Sequence, residues 1–279
     1  MASTRSLLFC AVPLYARDFT LLEEETTNWR RNLFSDGGLS NNFPINFFDR
    51  MLPNSPTFGI SLDPFDEDRL PKDIKAKYPQ DDPHSRVWLP KTKSAGSGTL
   101  IPGEPIDGIV AFLSRLIDAA KDWQDNLQST LAGYRDRIVH VDLKSDEGGL
   151  NLTMPQNLVL SLGDYGAQAG IDLRDQFDLD EHRWRRFLVA MDRMDHTLDE
   201  IAAAYNGQGG IESFKTFLER YPNPPNPVTY KDAARDHLET LKTRAADLAE
   251  LSRRWEAQPQ IPDEDLPHPK TDLRITPRP

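Results

Sequence analysis

The sequence predicts an α/β fold, with a few short strands at the front of the chain and helices filling the back. Three observations carry this. Runs of strand length occur at "NLFS" (32–35), "TFGISL" (57–62) and "RIVHVDL" (137–143). Apolar residues recur at helical spacing through most of 105–256. The composition, 38% hydrophobic and 28% charged over 279 residues, suits a globular protein with some looser segments and a sizeable core.

Charge and cysteine content narrow the classes. A formal net charge of −11 disfavours nucleic acid, whose phosphates demand a basic face. An anionic membrane is repelled on average, although a local patch could dock. Cys10 is the one cysteine, so no internal disulfide can form, and no Cys/His zinc spacing exists. The six histidines form neither H-x-x-x-H nor H-E-x-x-H, and no metal or other cofactor is expected. No apolar run is long enough to span a bilayer. The opening "MASTRSLLFCAVPLYARDF" has one Arg before a short apolar stretch, but Pro13 interrupts it and no small-x-small cleavage site follows. It reads as a buried strand or loop rather than a secretory signal. A cytoplasmic location, with room for peripheral membrane contact, fits.

The elements follow in order. "NLFS" and "TFGISL" read as short buried strands. Between them "FPINFFDRML" (43–52) reads as a helix, with Asn42 as cap and Phe43, Phe47 and Met51 as its stripe. Residues 63–104, rich in Pro, Asp and Lys, read as a long mobile loop or lid. Residues 105–256 form a helical part. Pro105 leads a run from Ile106 to Leu131 that Gly133 ends. Then comes the strand 137–143, with Val139, Val141 and Leu143 on one face and His140 and Asp142 on the other. Pro155 leads a second helix, and Asp180 opens a third that stops at Asn206-Gly207. A short helix carries Phe214, Phe217 and Leu218. "YPNPPNP" (221–227) breaks the chain, and Thr229 with Asp232 resembles a capping box for a last helix through Trp255. Residues 257–279 read as a disordered tail. No internal repeat is present.

The chemistry centres on Asp36 in "LFSDGGLSNNFP" (33–44). Asp-Gly-Gly tolerates positive φ and commonly closes a strand, so a plain turn explains it. The other reading is a general base. A carboxylate at a strand's end can take the proton of a serine hydroxyl, and flanking glycines leave room for the approach. "DEGGLNL" (146–152) mimics the motif, and its Glu147 reads as a turn or structural residue. His140 reads as a satisfied core or edge histidine. His182 and His196 are too far apart on one helix to be a ligand pair, and "RWRR" (183–186) reads as a solvated basic face.

The string "FSDGGLSNNFPINFFDRMLPNSPTFGISL" (34–62) resembles the aspartate segment of patatin-like phospholipases. The likeness continues more weakly to about residue 200. That family uses a Ser-Asp dyad, with the serine in a G-x-S-x-G elbow. The resemblance puts Asp36 on the dyad aspartate, and Gly37 and Gly38 on its turn glycines. It implies an incomplete patatin-like α/β hydrolase-type domain: a residual core over 1–62, a loop or lid over 63–104, a helical C-terminal part over 105–256 and the tail.

No G-x-S-x-G occurs in the sequence. Ser97, in "SAGSG" (94–98), has the wrong spacing and follows the aspartate. The nucleophile is therefore expected on a separate N-terminal hydrolase polypeptide that also supplies the oxyanion loop, with a lipid or other acyl ester as substrate. The chain alone, read as truncated, is expected to be inactive. Two alternatives stand: a non-catalytic binding protein derived from that fold, and a helical interaction protein unrelated to lipid chemistry.

Overall fold

The computed structural model describes residues 12–17, 29–34, 45, 50–67, 72–92, 108–109, 112, 130–148, 151, 153–221 and 231–268. Over these the fold is mixed α/β, with two small sheets and six α-helices. The strands are β1 (Val12–Arg17), β2 (Trp29–Phe34), β3 (Gly59–Pro64), β4 (Val87–Trp88) and β5 (Ile138–Leu143). The helices are α1 (Lys72–Lys77), α2 (Pro83–Arg86), α3 (Gln156–Gln176), α4 (Leu179–Asn206), α5 (Phe214–Arg220) and α6 (Lys231–Glu256).

β1 and β2 pair antiparallel, from Val12 opposite Phe34 to Arg17 opposite Trp29. The strand expected at "NLFS" is present, but it is not buried: all six residues of β2 are exposed. Among the described residues these two strands form a ribbon without a third strand, and such a unit is marginal by itself. The helix expected over 43–52 is not formed at its end, where Met51 and Leu52 sit in an exposed bend. Ile45 is buried, and its neighbours 42–44 and 46–49 lie outside the described residues.

The second sheet has the order β3-β5-β4. β3 runs parallel to β5, with Ile60 beside Val139 and Leu62 beside Val141, and β4 pairs antiparallel on the other edge. The alternation read in 137–143 is present. Val139 and Val141 pack with Val87, Tyr165 and Ala169 into the core, with Leu89, Leu143, Leu162 and Leu173 around it. α3 therefore lies on that face. β5 is the central strand, buried from Ile138 to Asp142, so its polar face is enclosed as well. β3 was expected to be buried too. As an edge strand it keeps Ile60 and Leu62 exposed.

Residues 63–104, expected to be one loop, contain α1, α2 and β4 within 72–88. Ser85, Arg86 and Val87 are buried. Pro83 and Asp82, counted as loop formers, instead start α2: Asp82 caps it by accepting the amide of His84 at 2.9 Å, and Pro83 takes the first turn.

The helix expected from Pro105 to Leu131 lies mostly outside the described residues, but its end is seen. Gly133 follows with φ 81°. α3 starts after Pro155 as read. α4 starts one residue earlier than Asp180, because Asp178 is the cap, accepting the amides of Asp180 and Glu181 at 2.9 and 3.1 Å. It stops at Gly207, φ 81°. Thr229 lies outside the described residues. The described part of the tail, 257–268, is structured: Asp263–Asp265 form a 3₁₀ turn, Leu266 is buried, and Arg135 donates to the His268 carbonyl at 2.9 Å.

Candidate functional site

Asp36, Gly37 and Gly38 lie outside the described residues, as does Ser97. What is described is their approach: β2 ends at Phe34, two positions before Asp36.

The rival acid is resolved. Glu147 is buried in the turn after β5, where its carboxylate pairs with the guanidinium of Arg86 and accepts the Lys144 amide at 2.8 Å. Arg86 is fully buried and lies over the rings of Phe65 and Tyr165, at 4.3 and 5.3 Å from their centroids. A carboxylate spent on a buried cation and a backbone amide is a structural lock, in line with the structural reading of Glu147. Gly148, φ 103°, makes the turn, and Asp146 is exposed.

The polar face of the second sheet holds a more reactive arrangement. Parallel pairing sets Ser61 beside His140 and Asp63 beside Asp142. His140 Nδ1 meets Asp63 Oδ2 at 2.5 Å, and the Ser61 hydroxyl donates to Asp63 Oδ1 at 3.1 Å. The imidazole stacks on the Trp88 indole, centroids 4.1 Å apart and planes within 9°, and Trp88 Nε1 donates to Asp142 Oδ1 at 3.1 Å.

A carboxylate on Nδ1 keeps a proton there. In the neutral ring it leaves Nε2 as the acceptor. Nε2 is buried and has no hydrogen-bond partner among the described residues. His140 was read as a satisfied histidine; only one of its nitrogens is satisfied. The pair can orient and hold a proton, but Ser61 bonds to the carboxylate and not to Nε2, so the three do not form a nucleophilic triad. The sequence signal was the His-x-Asp alternation on the face opposite Val139 and Val141. Asp63 and Trp88 carried none, because their approach depends on strand pairing.

A second buried cluster lies just before β5, in the 3₁₀ turn Arg135–Arg137. Asp136 accepts from His182 Nδ1 at 2.8 Å and from Arg185 at 2.9 and 3.2 Å. Burial pushes its carboxyl up, but the hydrogen bonds and charges of His182 and Arg185 outweigh that and hold it at about 2. "RWRR" is thus only half a solvated face. Arg183 and Trp184 are exposed, while Arg185 turns to Asp136 and Arg186 is buried, donating to the Arg50 carbonyl at 2.6 Å. The helical period of α4 places 182, 185 and 186 on the inward side.

A cavity of about 710 Å³ opens between α4 and α6, lined by Asp199, Tyr205, Ser252 and Arg253 among others. Of the residues named in the sequence it touches only the helix stop at Asn206 and Gly207, and none of the candidate catalytic ones. Among the described residues no group of three or more His, Cys, Asp or Glu could hold a metal ion. No helix among them is long and apolar enough to cross a membrane.

No family model matches the chain. No solved structure matches it. It is similar to a protein of Rhizobium meliloti (strain 1021) named RpoH suppressor, with 31% identity over 255 residues. That match covers 88% of this chain and 37% of the relative, so the chain spans little more than a third of the curated protein it matches.

Proposed function

We propose that the chain is the aspartate-bearing portion of a patatin-like serine acyl hydrolase, with Asp36 as the base and lipid acyl esters as substrate class. The observation that carries the reading is the D-G-G string in its wider context (34–62), placed two residues past the end of a strand. A base on a strand-end turn is held by the strand's backbone pairing, while the glycines leave its carboxylate approachable. The sequence has no G-x-S-x-G, so the reading needs the nucleophile and the oxyanion donors from another polypeptide segment.

The expected outcome is that the chain alone neither takes a fluorophosphonate label nor hydrolyses a p-nitrophenyl acyl ester. Hydrolysis appears when a G-x-S-x-G segment is supplied, and Asp36→Asn reduces it by roughly 10³-fold or more, the scale of losing a catalytic partner. Full activity in Asp36→Asn, or robust turnover by the chain unaided, overturns the assignment.

The absence of the nucleophile motif also favours a second reading, a non-catalytic binding protein derived from the same fold. The relative's name, RpoH suppressor, mentions no ester or lipid. This reading gains if the supplied segment binds without hydrolysis.

A further inference from the structure

We infer that the polar face of the β3-β5-β4 sheet is a binding site for an organic ammonium ion, with His140 Nε2 as the acceptor and Asp63 as the counter-charge. The inference does not rest on the function proposed above.

Strand register puts Ser61, Asp63, His140, Asp142 and Trp88 on this face. Two of these are acids and none is basic. Their donors are spent among themselves. The Ser61 hydroxyl and the imidazole Nδ1–H go to Asp63, and the Trp88 indole N–H goes to Asp142. What is left over is an acceptor. His140 is 5% exposed, and its Nε2 is buried without a hydrogen-bond partner among the described residues. Native folds rarely leave a buried polar atom unmet, and they keep one where a bound species completes it.

Charge decides which species. Asp63 accepts from a hydroxyl and an imidazole, both neutral groups when the ring carries one proton. Among the described residues no lysine or arginine pairs with it. A hydroxyl ligand would satisfy Nε2 and leave that charge unmet. A metal ion has no cage of three or more ligands among the described residues. An ammonium ion brings both an N–H donor and a positive charge, and the Trp88 indole adds the attraction of an aromatic ring for a cation.

The place in the fold agrees. Asp63 and Asp142 are paired one residue before the ends of the parallel strands β3 and β5. Ligands of open α/β sheets bind at the carboxyl ends of such strands. The Asp63 side chain is 29% exposed, so the face reaches the surface there. Trp88 is half-buried on an edge strand of two residues, and its ring covers one face of the imidazole. A strand this short opens locally at less cost than the central strand, so Trp88 is the side chain that swings to admit the ligand.

The test follows the imidazole nitrogens of the full chain, labelled with ¹⁵N-histidine, by long-range proton–nitrogen NMR. The His140 signals are those missing in His140→Gln. The probe is n-butylammonium chloride. The controls, at constant ionic strength, are tetramethylammonium chloride, which has the charge without an N–H, and n-butanol, which has a donor without the charge. The probe should shift the Nε2 signal saturably at millimolar concentration, the range of a single small contact. Both controls should bind at least tenfold more weakly. Asp63→Asn should weaken the probe at least tenfold. Ser61→Ala, which frees an oxygen of Asp63, should bind the probe as well as wild type or better. The accompanying change in tryptophan fluorescence should vanish in Trp88→Phe.

Equal binding by tetramethylammonium or n-butanol overturns the inference. So does the absence of a saturable shift up to about 50 mM probe. A resting Nε2 signal already at its hydrogen-bonded position means that a buried water fills the place, and that also overturns it. If Asp63→Asn does not fold, a tenfold loss in Ser61→Ala removes the role given to Asp63.

Discussion

At the scale of single residues, stability concentrates in buried ion pairs reached from distant parts of the sequence. Glu147 and Arg86 are 61 residues apart and both buried. Removing one member leaves an uncompensated buried charge, so Glu147→Ala should lower the urea unfolding free energy by about 3–5 kcal/mol. The double variant Arg86→Met with Glu147→Leu should recover most of that loss. If the single and double variants are equally destabilised, the pair is not the source.

Asp136 makes a pH-dependent case. Its folded value of about 2 lies below the ordinary 3.8. A depressed carboxylate contributes stability that is fully present above the unfolded value and is lost as pH falls through the folded one. The window therefore runs from about pH 4 down to about pH 2, and the contribution is ~2 kcal/mol. The gap between the unfolding curves of wild type and Asp136→Asn should narrow from pH 5 to pH 2.5. The acids were legible as acids, and Glu147 as structural. Their partners were not, since residues 63–104 and "RWRR" read as solvent-facing by composition.

At the scale of elements, local chemistry was legible where it is complete within a few residues. Pro155 leads α3, Gly207 ends α4 and Gly133 marks the end of the segment before β5, all read from capping and backbone preferences. The start of α4 was displaced because two aspartates, 178 and 180, compete for the cap, and only Asp178 has extended backbone. Strand burial was misread because it depends on layers outside the strand: β2 and β3 have strand composition but face solvent. Two glycine substitutions separate backbone demand from open space. Gly133 has φ 81°, and a Cβ there would sit 2.6 Å from Arg186 Cδ. Gly133→Ala should cost about 1–3 kcal/mol. Gly170, helical and open, should gain about 1 kcal/mol as alanine. Equal effects at the two sites would remove the steric explanation for Gly133.

At the scale of the whole molecule, the α/β class was legible and the topology was not. Strand runs and helical periods each announce themselves over six to twenty residues. Nothing in them says that β3 and β5 lie side by side across some 74 residues of chain, or that a two-residue strand from an apparent loop completes the sheet. The same blindness hid the return of the C-terminal segment. Its prolines and charges read as disorder, but Leu266 is buried, and the His268 carbonyl receives a hydrogen bond from Arg135, three positions before β5. Those contacts tie the end of the described chain to the start of its central strand, so the segment belongs to the cooperative unit. Leu266→Ala should then cost about 2–5 kcal/mol in urea unfolding, the range for a buried leucine. The loss should appear in the transition that monitors Trp88 beside β5, because one cooperative unit unfolds with one midpoint. A tail merely resting on the surface would give a shift near zero and cleave at 258–268 in limited proteolysis without change in that midpoint.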